Sequence, residues 1–287
     1  SADADEISSM VNSLGDLPLA IELVAKTANV RNLKSVKEIE EKLSSFNLSS
    51  RIKSNFSISH SRNKNVEEVF GYLRQCFEVS DIGERHLKIL AQIVCLPEKF
   101  LHLVTFTEIL SFELEDKFDN HHEVLEEMFL ILDDLSKKGW LTKSKNSETY
   151  KMHPIIKEVL LFDFLDNQEM TFPLVSNLNM IIDFQKSKES YIDKKKWIPY
   201  CSSVIEAISK FKNFDNLILE FLNSFIVLLE HFSANKEAQQ ICNLFHEKVS
   251  ANISINTQVR FLDNLGTVNR NLGAIDKAIN YYSEAIN

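Results

Sequence analysis

The sequence predicts a mainly α chain: a helical domain, a second helical module carrying one small β-hairpin, and then a series of stacked helical pairs. Three observations carry this. Apolar residues recur at helical spacing along most of the chain. Breakers are scarce, with six glycines and five prolines in 287 residues, which leaves room for long helices and argues against a turn-rich β-sandwich. One stretch, residues 140–152, places β-forming residues on both sides of a polar turn.

The first module spans residues 1–80. Ile7, Met10, Val11 and Leu14 line one face of an amphipathic helix, and Gly15 closes it, because glycine accepts the left-handed conformation of a helix end. Asp16 can cap the next helix, whose first turn holds Pro18 at no hydrogen-bonding cost. That helix, Leu17 to Ala28, is apolar on nearly every side and belongs in an interior. Ser35 and Glu38 form a capping box for a third helix with Val36, Ile39, Leu43 and Phe46 inward. Asn65 caps a fourth, with Val66, Val69, Phe70, Leu73 and Phe77 inward. Asp81 and Gly83 then break the pattern.

Residues 81–168 form the second module. A helix from Glu84 turns Leu87, Leu90, Ala91 and Val94 inward and stops at Pro97. A short helix follows around 105–114, then a long one from His121 to Lys138, ended by Gly139. Trp140 to Lys143 and Thr149 to Met152 flank the polar turn Ser144 to Glu148. Pro154 opens another helix with Ile155, Ile156, Val159, Leu160 and Phe164. Three helices, a β-hairpin and a helix make the order of a winged helix.

Residues 169–287 are expected to be all helical, in short elements that cannot bury a face alone and must stack in pairs. Small residues at Gly266, Ala278 and Ala285 allow two antiparallel helices to approach closely, and Tyr282 is expected to fill the space between repeats. With Leu265 and Gly273, these residues resemble a tetratricopeptide repeat, an α–α superhelical unit of about 34 residues. Leu262 stands where that repeat usually has tryptophan and Asn269 where it has tyrosine. The pattern is unfinished at Asn287, so the chain reads as a fragment of something longer.

Taken in order, these signals resemble STAND-class NTPases of the NB-ARC type. Leu14-Gly15-Asp16-Leu17-Pro18-Leu19-Ala20 resembles their GLPLA motif, and Tyr150-Lys151-Met152-His153-Pro154 resembles their MHD motif. The resemblance implies a switch. ADP or ATP sits on an upstream P-loop domain of the same chain, under a lid made by the helical domain and the winged helix. Pro18 would pack near the adenine, supported by Gly15, Leu17 and Leu19. His153, beside Met152, would contact the β-phosphate of ADP. Repeats that sense a protein or peptide ligand would release the lid, and the opened protein would form a homo-oligomer. Pro154 replaces the aspartate of the MHD motif, so whatever that aspartate does is not done by this residue.

Several classes are disfavoured. None of the six glycines precedes a lysine, so the chain lacks the phosphate-cradling loop of an ATPase core and is not expected to be an enzyme by itself. No catalytic residue and no metal site is expected: His121-His122 point two ways on a helix, and two histidines cannot complete a tetrahedral shell. The acid pairs Glu126-Glu127 and Asp133-Asp134 read as a solvated helix face, and Lys194-Lys195-Lys196 as a solvated loop. The four cysteines are unpaired in pattern and are read as buried thiols of a cytoplasmic protein. No apolar run spans a bilayer, and the acidic N-terminus lacks the basic run of a signal peptide. A net charge of −9 disfavours nucleic acid as a partner. Two alternatives to the switch stay open: a repeat scaffold that binds proteins without nucleotide, and a winged-helix DNA-binding regulator.

Overall fold

The computed structural model describes residues 82–110, 120–164, 168–187, 189–211, 214–249 and 253–286, with a few helical or capping positions between 6 and 38. Ser35 Oγ accepts from Glu38 N at 3.2 Å, the first half of the capping box. Gly15, Leu17, Pro18 and Leu19 lie outside the described residues, as does most of the first module.

The described chain is mainly helical. In order it runs α1 (Glu84–Ile93), β1 (Leu101–His102), α2 (Leu103–Leu110), α3 (His121–Lys137), β2 (Thr142–Lys143), β3 (Thr149–Lys151) and α4 (Pro154–Phe164). After a 3-10 turn at Gln168–Thr171 come α5 (Phe172–Ile182), α6 (Tyr191–Lys194), a second 3-10 turn at Lys195–Trp197, and α7 (Ile198–Ile208). Four longer helices close it: α8 (Asn216–His231), α9 (Asn235–His246), α10 (Ile255–Asn271) and α11 (Ile275–Ile286). Among the described residues no helix is long and apolar enough to cross a membrane.

The chain divides into two compact units: residues 1–87, 98–103 and 125–160 make one, and 88–97, 104–124 and 161–287 the other. The first holds the sheet. β3 is its central strand, antiparallel to β1 (Leu101 opposite Tyr150) and to β2 (Lys143 opposite Tyr150). The hairpin was foreseeable, but β1 is two residues long and carries no periodic signal. Behind the sheet, Met128, Ile131, Leu132 and Leu135 of α3 are buried with Trp140, Leu141, Tyr150 and Met152. α3 ends as its sequence predicts: Gly139 takes φ 91°, and Trp140 N donates to Leu135 O at 2.9 Å.

The second unit is organised by α8, which packs against α5, α6, α7, α9 and α10. α5 also secures the end of α2, because Asn177 Nδ2 donates to Glu108 O at 3.0 Å and Ile109 O at 2.7 Å. α8–α9 and α10–α11 are two helical hairpins with the same turn. Ala234 N donates to Leu229 O, and Ala274 N to Asn269 O, both at 2.9 Å. Ser233 (φ 57°) and Gly273 (φ 79°) occupy the left-handed position that this closure requires.

One expectation needs correction. Lys194 is not in a solvated loop. It is fully buried, and its Nζ donates to Ile181 O at 2.7 Å and Asp183 O at 3.2 Å, satisfying carbonyls at the end of α5. A sequence window cannot see this, because the partner carbonyls lie a turn and a loop upstream. In the last hairpin the Tyr282 ring lies over Gly266. A Cβ at Gly266 would stand 2.6 Å from Cδ1 and 2.8 Å from Cζ of that ring. We therefore expect Gly266→Ala to force the hairpin apart and cost about 1–3 kcal/mol, the usual penalty of overpacking. Urea denaturation of the variant against the parent measures it.

Candidate functional site

The junction between the hairpin and α4 is where the sequence puts its one candidate ligand contact in the described region. β3 brings Tyr150 into the core with no exposed surface. Lys143, directly opposite on β2, lies 4.6 Å from the centre of the Phe129 ring and 5.5 Å from that of Tyr150. Burial raises the Tyr150 phenol above its ordinary range. Two residues on, Met152 is buried and His153 is half-buried. The His153 carbonyl accepts from Lys157 N at 3.0 Å, so His153 stands at the entrance of α4. Pro154 is exposed in the first turn, where its missing N–H costs nothing. His153 thus stands beside the N-terminus of an eleven-residue helix, whose dipole favours an anion. Pro18, the other expected contact, lies outside the described residues, so the pair is not brought together here.

The acids of α3 are not a simple solvated face. Glu127 pairs with Arg85. Asp133 meets Lys137 and Lys143, each at 2.8 Å, and Asp134 meets Lys138 at 2.8 Å and His86 at 3.4 Å. Hydrogen bonds from Lys137 and then Lys143 hold the Asp133 carboxyl below its ordinary range. These pairs tie α3 to α1 and to the hairpin. His121 and His122 are both exposed, and among the described residues no group of three or more His, Cys, Asp or Glu side chains could hold a metal.

Leu265, Gly266 and Ala278 are buried in the last hairpin, Tyr282 and Ala285 are half-buried, and Gly273 forms the turn. Tyr282 Oη and Thr267 Oγ1 are 3.1 Å apart, which orients the ring over Gly266. Cys95, Cys201 and Cys242 are buried free thiols; Cys76 lies outside the described residues. Burial, and then the Glu230 charge, push the Cys242 thiol up to about 12, too high to be a nucleophile near neutrality.

Sequence reasoning overlooked Glu230. It is half-buried near the end of α8, and its Oε1 has no hydrogen-bond partner. Burial pushes its carboxyl up to about 7, despite the opposing pull of Arg270 and with a small push from Asp263. A carboxyl raised in this way favours folding while protonated. Its penalty is absent below the ordinary range near 4.5 and grows as pH rises towards about 7. Glu230→Gln should therefore stabilise the protein at pH 8 by about 1 kcal/mol, allowing for the water the group still meets. It should change little at pH 4.5; melting curves at the two pH values read the difference.

No family model matches the chain, and no curated protein or solved structure matches it.

Proposed function

We propose that the chain is the regulatory and sensor portion of a STAND signalling ATPase of the NB-ARC type, serving bacterial immunity or signalling. On this reading residues 1–80 and a winged helix at 81–168 close over ADP or ATP held by an upstream P-loop domain. Tetratricopeptide-like repeats at 169–287 sense a protein or peptide and couple that event to oligomerisation. One observation carries the reading: His153 stands half-buried where the hairpin enters α4, and two helical hairpins with matching turns follow in the same chain. The order helix, strand, two helices, hairpin, helix over 84–164 supports the winged-helix assignment. The shared turn at Ser233 and Gly273 supports the repeat assignment.

The mechanism follows from the electrostatics. A β-phosphate approaching the start of α4 gains a charge-assisted hydrogen bond from His153 and the field of the helix N-terminus. Because the hairpin, α3 and α1 are cross-linked by the ion pairs of Asp133, Asp134 and Glu127, force on His153 is transmitted to a connected body rather than to a loop. A protein-binding scaffold without nucleotide is the second reading, favoured by the stacked hairpins alone.

His153→Ala separates the two. In the polypeptide that includes the P-loop domain this reading places upstream, the variant should release ADP about tenfold faster or more, the cost of one hydrogen bond to a charged group. Stopped-flow with a fluorescent ADP analogue measures the rate. Unchanged release, or no bound nucleotide at all, favours the scaffold.

A further inference from the structure

The two helical hairpins, α8–α9 and α10–α11, meet through uncharged polar groups. Asn223 donates to the Thr257 carbonyl at 3.1 Å and accepts from Asn264 at 3.0 Å; Gln239 donates to Asn269 at 3.1 Å, and Asn271 to Asn235 at 3.4 Å. Amides keep one charge state at every ordinary pH, so these bonds do not titrate. Glu230 departs from that pattern. It is half-buried near the end of α8, and its Oε1 is buried without a hydrogen bond.

The matching turns set Glu230 and Arg270 at equivalent positions. Their carbonyls accept from Ser233 N at 2.9 Å and Gly273 N at 3.0 Å, the left-handed residues that close α8 and α10. The end of a helix carries partial negative charge, so a cation suits this position and a carboxylate does not. Arg270 and Asp263, both on α10, are the charges that act on Glu230 among the described residues, and Glu230 in turn acts on the buried Cys242 thiol of α9. Arg270 attracts the carboxylate but makes no hydrogen bond to its Oε1. His231, the next residue, turns instead to the rings of Phe184 and Tyr191. Protonated, Glu230 is as neutral as the amides of the joint. Ionised, it leaves an unbonded carboxylate oxygen buried, which water reaches when the hairpins part.

We propose that Glu230 is a proton-sensitive latch between the two hairpins: its neutral form lets α10–α11 dock on α8–α9, and loss of its proton loosens that docking. Burial holds the carboxyl up at about 7, so the docked joint binds more protons than the open one between the ordinary value of 4.5 and about 7. Docking therefore weakens as pH rises through that window and stays weak above it. The inference is independent of the nucleotide reading.

Amide hydrogen exchange of the 287-residue chain at pH 5 and pH 8, with rates corrected for the intrinsic effect of pH, tests it. From the lower to the higher pH the amides of α8, α10 and α11 should lose about fivefold of their protection or more, a ratio that allows for the water Glu230 still meets. α3 from Leu125 on, which belongs to the other unit, should keep its own. Glu230→Gln should abolish the loss, and so should Glu230→Met, a second neutral side chain of similar length. His246→Gln should retain it; His246, whose ring lies 5.5 Å from that of Tyr281, is another titratable side chain where the hairpins meet. Equal protection at both pH values, a loss that persists in both Glu230 variants, a loss that vanishes in His246→Gln, or an equal loss in α3 would overturn the proposal.

Discussion

A helix that is apolar on all sides can persist in water only if it is covered on all sides, and α8 sets that constraint for the C-terminal unit. Ten of its sixteen residues are buried, among them Phe221, Leu222, Phe225, Ile226, Leu228 and Leu229. Each large apolar side chain taken from water contributes about 1.5–3 kcal/mol. No single neighbour can cover such a surface. α5, α7, α9 and α10 therefore surround it, and the order of short amphipathic helices along the chain answers that demand. Asp215 fixes where the helix begins, its Oδ1 accepting from Ile218 N at 2.9 Å.

Apolar burial alone would leave α8 free to slide or rotate. Asn223, fully buried at its middle, removes that freedom. Its Nδ2 donates to Thr257 O at 3.1 Å, and its Oδ1 accepts from Asn264 Nδ2 at 3.0 Å. An unsatisfied buried amide costs about 1–3 kcal/mol, so a shifted register that broke these bonds is disfavoured. Asn223 thus joins the two hairpins at one point, while Asn235, Gln239 and His246 join them along the edge. A ligand that moved one hairpin would have to move the other.

The elements legible in the sequence are those whose cause is local. α3 and its end at Gly139 follow from neighbouring residues, and the β-formers around Ser144 to Glu148 mark the hairpin. Each rests on a few neighbouring residues, so a window of the chain contains its explanation. The rest depends on residues far apart. β1 exists because Leu101 and His102 find β3 to pair with. Lys194 looks like a surface charge until the carbonyls of Ile181 and Asp183 are brought to it. Asp133 and Asp134 look solvated until Lys143 and His86 arrive from other elements. Ser233 holds a glycine-like conformation because burial of α8 and α9 outweighs the roughly 1 kcal/mol its left-handed backbone costs. Of the candidate site, the entry of His153 into α4 was legible from Pro154 alone, whereas its half-burial depends on the sheet behind it.

If α8 is the common support of the C-terminal helices, their stabilities are linked. Amide hydrogen exchange on Asn223→Leu against the parent measures this most directly. In the parent, the amides of α8, α10 and α11 should exchange through one opening with a common free energy. In the variant, α10 and α11 should lose protection together while α8 keeps more of its own. If α11 instead exchanges independently in the parent, or the substitution leaves α10 and α11 untouched, the hairpins are separate bodies and α8 is not what holds them.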